Sequence, residues 1–172
     1  DPIPEPGGKA LAQKIAREAV GASANFEREL PRDGLYVIFP RLSALKDLIF
    51  VEESGLNEKE FVRTLLASYG ISPKEIEIVG LKPGDEETAR IKRKAGEAKG
   101  TLFFCYDAHL DSGTRKLLES LQSGSRGLAV ILLRDPYDRV LIRPEIPCVD
   151  AFGFRTVAID AAVRQLFSPS FS

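Results

Sequence analysis

Leu102-Phe103-Phe104-Cys105-Tyr106 is an apolar run that leads directly into Asp107-Ala108-His109. Four other short runs are rich in β-branched and aromatic residues: Leu35–Phe39, Ile76–Val79, Leu128–Leu133 and Cys148–Phe152. Runs that are apolar throughout are typical of parallel strands covered on both faces. Because helical patterns separate them, the sequence predicts a β-α-β-α alternation with right-handed crossovers.

The predicted helices carry clear terminal signals. Asn57 followed by Glu60 resembles a capping box, and Gly70 suits a left-handed C-terminal cap. Asp85 begins a helix whose first turn is acidic, which matches the helix dipole. With the alternation of strands and helices, these signals favour an α/β fold: a three-layer α/β/α sandwich. We expect its sheet to be flavodoxin-like, mostly parallel and five-stranded, in the order 2-1-3-4-5. Leu48–Val51 is either an extra edge strand or an ordered loop, and periodicity does not separate the two.

The first 32 residues differ from the rest. Alternating prolines from Asp1 to Pro6 favour an extended linker, and from Lys9 to about Ala22 apolar residues recur at helical spacing. Residues 1–32 are therefore predicted to be a linker and connecting helix, and residues 33–172 the α/β domain. The sequence contains no methionine, which favours a piece of a longer protein.

Composition narrows the function classes. The formal net charge of −1, with both signs interspersed, gives no electrostatic footprint for nucleic acid, and no apolar run approaches the roughly 20 residues of a membrane span. Neither nucleic acid nor a membrane is expected to contact this segment. No glycine-rich phosphate loop follows a predicted strand, so no cofactor is predicted. Cys105 and Cys148 belong to strands two places apart in the predicted order, about 9.6 Å, which exceeds the reach of a disulfide.

Ligands of such sheets bind beyond the carboxyl ends of the strands, where strand order reverses. This rule predicts a crevice in which Arg41 lies beside Asp107 and His109. The alternative is that Pro40 merely ends a strand and that Asp107 caps a turn or helix. Asp107, His109 and Asp111 form a poor metal set, and a Cys105–His109 nucleophile lacks an electropositive setting, so neither a metal site nor this nucleophilic pair is predicted.

Two further groups of residues follow the last strands. The first group is Arg134, Asp135, Tyr137 and Asp138. Arginine and tyrosine beside carboxylates suit recognition of sugar hydroxyls, although an arginine in a planar ion pair also fixes a loop without any ligand. Phe152 and Phe154 flank a glycine and suit an interface or the core. Together with Leu11 and Ile15 of the connecting helix, they are the candidate interface, which predicts weak homodimers if it is left exposed.

Several motifs, in this order, resemble the C-terminal α/β domain of glycoside hydrolase family 3, especially its β-N-acetylhexosaminidase branch. They are Ala12–Val20, Leu30-Pro31, Asp107-Ala108-His109-Leu110, Leu133-Arg134-Asp135-Pro136-Tyr137-Asp138 and Phe152-Gly153-Phe154. Two places depart from the family pattern: Gly21-Ala22-Ser23 after the connecting helix, and Ser168-Pro169-Ser170 near the end.

The resemblance implies that two domains contribute different parts of the enzyme. The family's nucleophilic aspartate lies on an upstream (β/α)₈ barrel, as does the acid/base histidine of the hexosaminidase branch. The glucosidase branch takes an acid/base glutamate from this second domain, but no glutamate here stands in a matching motif. The expected function is therefore a non-catalytic C-terminal domain that completes or supports the active site of a β-N-acetylhexosaminidase or β-glucosidase. Carbohydrate is expected to bind only in the full enzyme, and this chain alone is predicted to be inactive. The alternative is a stand-alone, non-enzymatic module that binds a small polar ligand or a protein.

Overall fold

The computed structural model describes residues 21–22, 30–45, 57–134 and 136–167 of the 172-residue chain. The strands are β1 (Gly21–Ala22), β2 (Asp33–Pro40), β3 (Ser72–Val79), β4 (Gly100–Cys105), β5 (Leu128–Leu132) and β6 (Cys148–Asp150). The α-helices are α1 (Glu58–Ser68), α2 (Asp85–Glu97), α3 (Ser112–Gly124) and α4 (Thr156–Phe167). Two 3-10 helices, Leu42–Ala44 and Pro136–Leu141, follow β2 and β5.

The sheet confirms the predicted topology. Its strand order is β1-β6-β5-β4-β2-β3, and β2 to β6 are mutually parallel, which is the order 2-1-3-4-5 for the five predicted strands. The strand β2 lies between β3 and β4, so the order reverses beside it. The carboxyl ends of β4, β5 and β6 therefore lie next to one another on one edge.

Helices cover both faces of this sheet. Leu35, Val37 and Phe39 of β2 face a buried cluster with α1 and α4, whereas Tyr36 and Ile38 face a second cluster with α2 and α3. This alternation is the two-residue period of a strand. The three predicted layers are confirmed, and the purely apolar strands lie in the middle layer because both of their faces must be buried.

The helix ends follow the predicted signals. The Asn57 side chain accepts a hydrogen bond from the Glu60 N–H at 2.9 Å, and Gly70 has a φ of 70° just after α1. The helix α2 begins with three acidic residues and ends at Glu97. These local signals are reliable because they satisfy backbone groups that the helix itself leaves unpaired.

The connecting segment differs from its sequence pattern at one described point. Gly21 and Ala22 were expected at the end of a helix, but they form β1, which pairs antiparallel with β6 opposite Asp150 and Val149. Pairing there covers backbone groups that β6 would otherwise expose as an edge. Glycine is a weak helix former, so this change costs little. The rest of the predicted connecting helix, with Leu11 and Ile15, lies outside the described residues, as does Leu48–Val51.

Both cysteines are buried as free thiols. Cys105 ends β4 and Cys148 begins β6, with β5 between them, so the predicted absence of a disulfide is confirmed. Burial raises the pKa of the Cys105 thiol well above its usual range, and the nearby charge of Asp138 adds to this effect. The described helices are all too short or too polar to cross a membrane.

Candidate functional site

Asp138 organises the carboxyl edge between β4 and β5. Its side chain lies in the 3-10 helix after β5, and the residue is only 2% exposed. One carboxylate oxygen accepts the Ala108 N–H at 3.0 Å, and the other accepts the His109 N–H at 2.7 Å. The Cys105 thiol lies 3.6 Å from the first oxygen. Asp138 therefore joins the loop after β4 to the loop after β5.

The Asp138 carboxylate also orients the ring of His109, the single histidine of the sequence. His109 Nδ1 lies 2.7 Å from an Asp138 oxygen, and because a carboxylate accepts hydrogen bonds, Nδ1 is the protonated nitrogen. The other ring nitrogen, Nε2, then carries a lone pair when the ring is neutral. Within the described part of the chain Nε2 has no hydrogen-bond partner, and solvent can reach it. His109 thus presents Nε2 in a fixed orientation, as an acceptor when the ring is neutral and as a donor when it is protonated.

Asp107 and Arg134 form a second link between the same two loops. Arg134 Nη1 lies 2.7 Å from Asp107 Oδ2, and this pairing raises the pKa of the Arg134 guanidinium. Asp107 has a φ of 54°, and its Oδ1 is buried without a hydrogen-bond partner among the described residues. The ion pair agrees with the loop-fixing reading of Arg134, and half of the guanidinium side chain remains exposed.

A third link reaches β6. Arg139 Nε donates to Asp150 Oδ2 at 2.9 Å, and a second contact joins Arg139 Nη2 to the same oxygen. Two residues later, Phe152 has a φ of 55°. A left-handed backbone is uncommon for a bulky residue, and such strain concentrates at functional sites. The residue with the left-handed backbone is thus Phe152 and not the adjacent Gly153.

Arg41, which is predicted to share a crevice with Asp107 and His109, interacts with other residues than these two do. Arg41 is exposed after β2, and its charge acts on Glu58. No hydrogen bond or ion pair joins it to Asp107 or His109 in the described part of the chain, since both of these residues turn toward the β5 loop. The cavity at the strand-order reversal, between Pro40 and Tyr106, has a volume of about 10 Å³. It holds roughly one water molecule.

The remaining predicted residues are divided between surface and core. Tyr137 is exposed, and its ring lies 5.6 Å from that of His109. Phe154 packs partly buried against the core, with its ring 6.0 Å from that of Tyr106. Phe152 is exposed, and Asp135 lies outside the described residues.

Neither a metal site nor a thiolate nucleophile is formed in the part of the chain that the structure describes. No three His, Cys, Asp or Glu side chains there are placed to hold a metal ion. Cys105 is fully buried with a raised pKa, which opposes thiolate formation. A second cavity of about 690 Å³ opens at the opposite edge of the sheet, between Lys99 and Arg126. It is also bordered by Leu30 and Pro31, which precede β2.

Arg139 was missed as a site residue, and Asp138 was recognised only as part of the polar run after β5. The partner of each residue lies on another loop. Only a fixed three-dimensional arrangement pairs Asp138 with His109 and Arg139 with Asp150. The one usable signal was the position of the run at a strand's carboxyl end.

Comparison by fold finds enzymes of glycoside hydrolase family 3. A family 3 β-N-acetylglucosaminidase from Paenibacillus sp. matches 97% of this chain with a TM-score of 0.75 at 19% identity, over 31% of its own length. A fungal multi-domain family 3 β-N-acetylglucosaminidase matches 95% with a TM-score of 0.67 at 18% identity, over 18% of its length. A β-glucosidase from Listeria innocua, solved with glucose, matches 98% with a TM-score of 0.66 at 14% identity, over 26% of its length.

No protein-family model and no curated protein matches the sequence. The chain spans less than a third of each of these three enzymes. With sequence identities below 20%, a likeness to these solved structures establishes the fold of this chain but not its activity. At that level the expected resemblance is confirmed: this chain shares its flavodoxin-like α/β fold with a portion of these family 3 glycoside hydrolases.

Proposed function

We propose that the chain is the non-catalytic C-terminal domain of a family 3 glycoside hydrolase that acts on β-linked N-acetylhexosamine or glucose. Its partner is an upstream (β/α)₈ barrel of the same enzyme, which carries the catalytic residues. The observation that carries the proposal is the match of 97% of this chain to only 31% of a family 3 β-N-acetylglucosaminidase. The ordered motifs after β4, β5 and β6 point to the same family.

The burial and the binding partners of the described carboxylates support a non-catalytic role for this domain. Retaining glycosidases place two carboxyl groups about 5–5.5 Å apart on either side of one sugar. At the carboxyl edge, Asp138 and Asp150 are buried and paired, and Asp107 is held by Arg134. Asp111 accepts from Thr114 N–H at 2.8 Å as the N-cap of α3. These groups are occupied in holding loops together, so the reaction centre is expected on the barrel.

The carboxyl edge is the part of this domain that suits contact with a sugar site. His109 offers a ring nitrogen there, and Arg134 offers guanidinium donors beyond the one that binds Asp107. Such groups suit recognition of sugar hydroxyls. In this role the domain supports the active site by positioning groups near substrate, while bond cleavage belongs to the other domain.

The test compares this chain with the complete gene product that contains it. Both are assayed for release of a chromogenic aglycone from β-N-acetylglucosaminide and β-glucoside. The complete product should hydrolyse one of them, whereas the chain alone should stay at background. Turnover by the chain alone that is abolished by His109→Ala would show that this domain is itself catalytic. A complete product that has no barrel and no activity would favour the stand-alone ligand-binding module.

A further inference from the structure

The cavity of about 690 Å³ at the amino edge of the sheet takes no part in the proposed function. Its walls come from the segments that lead into four neighbouring strands: Pro31, Lys99, Gly127 and Pro147 stand just before β2, β4, β5 and β6. Small-molecule sites are concave and have volumes of about 300–1,000 Å³. This amino-edge cavity is therefore large enough to hold a small molecule.

The charged side chains around the amino-edge cavity are mainly basic. Lys99, Arg126 and Arg143 line it and are exposed, and Glu145 is the one acidic residue among its described lining. Lys99 and Arg126 form no hydrogen bond or ion pair in the part of the chain that the structure describes. Arg143 Nη1 donates to the Gln122 carbonyl oxygen at 3.2 Å, and no described carboxylate pairs with it. Three cations and one carboxylate give the cavity a positive formal charge.

Two of these cations also have a structural use. The helices α2 and α3 end just before Lys99 and Arg126, and each helix C-terminus carries about half a negative charge. A cation near a helix C-terminus stabilises the helix without any ligand. The two helix ends together balance only about one positive charge, however, and Glu145 balances another. One of the three positive charges therefore remains without a counterpart in this cavity.

Hydrogen bonds hold the backbone that carries the arginines. Gln122 Nε2 donates to the Leu141 carbonyl oxygen at 2.9 Å, and Gln122 Oε1 accepts the Arg143 N–H at 2.8 Å, so this segment is fixed to α3. The Thr101 N–H donates to the Gly127 carbonyl oxygen at 2.7 Å, which fixes the segment before β5 beside β4. A site whose backbone is already ordered loses little conformational entropy when a ligand binds.

We propose that the amino-edge cavity binds a small molecule through an anionic oxygen group, a phosphate or a carboxylate, held by Lys99, Arg126 and Arg143. A guanidinium can donate two parallel hydrogen bonds to either anion, and a lysine adds a compact positive charge. Ser125 also lines the cavity, and its buried Oγ has no hydrogen-bond partner among the described residues, so the wall holds an unsatisfied polar group as well. The site lies at the edge opposite His109 and does not depend on the proposed glycosidase function.

The test is isothermal titration calorimetry of the complete gene product at low ionic strength, with inorganic phosphate and acetate as separate probes. Arg126→Gln should weaken binding of the preferred anion at least about tenfold, because it removes a hydrogen bond to a charged group. Arg126→Gln combined with Arg143→Gln should weaken it further. Arg63→Gln removes the same charge from an exposed position on α1 and should leave the affinity unchanged.

The two probes and the stability of the variants separate the outcomes. Tighter binding of phosphate indicates a phosphate-bearing ligand and tighter binding of acetate a carboxylate, and either result supports the proposal if Arg126→Gln weakens it. The proposal would be overturned if neither anion binds with a dissociation constant below about 10 mM. Equal affinities of wild type and Arg126→Gln would also overturn it, and a lowered urea midpoint with unchanged affinity would assign the cations to the helix ends alone. Because Arg126 has no partner among the described residues, Arg126→Gln still gives an answer if the double variant fails to fold.

Discussion

Replacing Asp138 by alanine should be the most damaging single change at the carboxyl edge. Asp138→Ala removes the acceptor for the Ala108 N–H at 3.0 Å, the His109 N–H at 2.7 Å and His109 Nδ1 at 2.7 Å. Each donor left unsatisfied in a buried setting costs about 1–3 kcal/mol. Because water can reach the partly buried His109, we expect a total loss of about 3 kcal/mol in the free energy of unfolding.

Urea denaturation measures this loss. With a slope of about 2 kcal/mol per molar, the midpoint of the Asp138→Ala variant should fall by about 1.5 M. Asp138→Asn keeps one acceptor oxygen and should lose about half as much. Arg134→Ala breaks an ion pair whose cation is half exposed, so it should cost less than about 1 kcal/mol. If Arg134→Ala lowers the midpoint as much as Asp138→Ala does, Asp138 is not the residue that holds these loops together.

Two further predictions concern other parts of the fold. A Cβ atom at Gly113 would lie 2.3 Å from the Pro83 carbonyl oxygen, so Gly113→Ala should destabilise the protein by about 1–3 kcal/mol. Gly80→Ala is the control and should be near neutral, because the atom nearest to a Cβ at Gly80 is 3.9 Å away. Equal urea midpoints for the two variants would contradict the close packing of α3. Burial alone would raise the pKa of Glu77, but hydrogen bonds from Tyr36, Arg90 and Lys94 lower it overall. Its charged form therefore stabilises the fold above the ordinary carboxyl pKa of 4.5, and this stability is lost as pH falls through the lowered value. Glu77→Gln should cost about 1–2 kcal/mol at pH 7 and much less near pH 3, and an equal loss at both pH values in urea titrations would refute the charge-based reasoning.

The sequence alone predicted the layers and the helix ends because these depend on local patterns, and the predicted strand order followed from the flavodoxin-like plan that the alternation of strands and helices favours. Apolar strands such as Leu128–Leu132 must be covered on both faces, which requires helices above and below a parallel sheet. The caps at Asn57 and Gly70 act within a few residues of themselves, so their spacing is visible along the chain. The ordered polar motifs after three strand ends likewise pointed to the family whose fold the structure shares.

Only the tertiary structure decided which polar side chains meet. The strand-order rule predicts that Asp107 and His109 share a crevice with Arg41, but it does not identify their hydrogen-bond partners, which are Arg134 and Asp138 on the β5 loop. Pairing across loops depends on backbone direction, and the left-handed conformation of Asp107 was not visible in its sequence. For the same reason β1 appeared as a strand where helical periodicity continued: an unpaired edge of β6 exists only once the sheet is assembled.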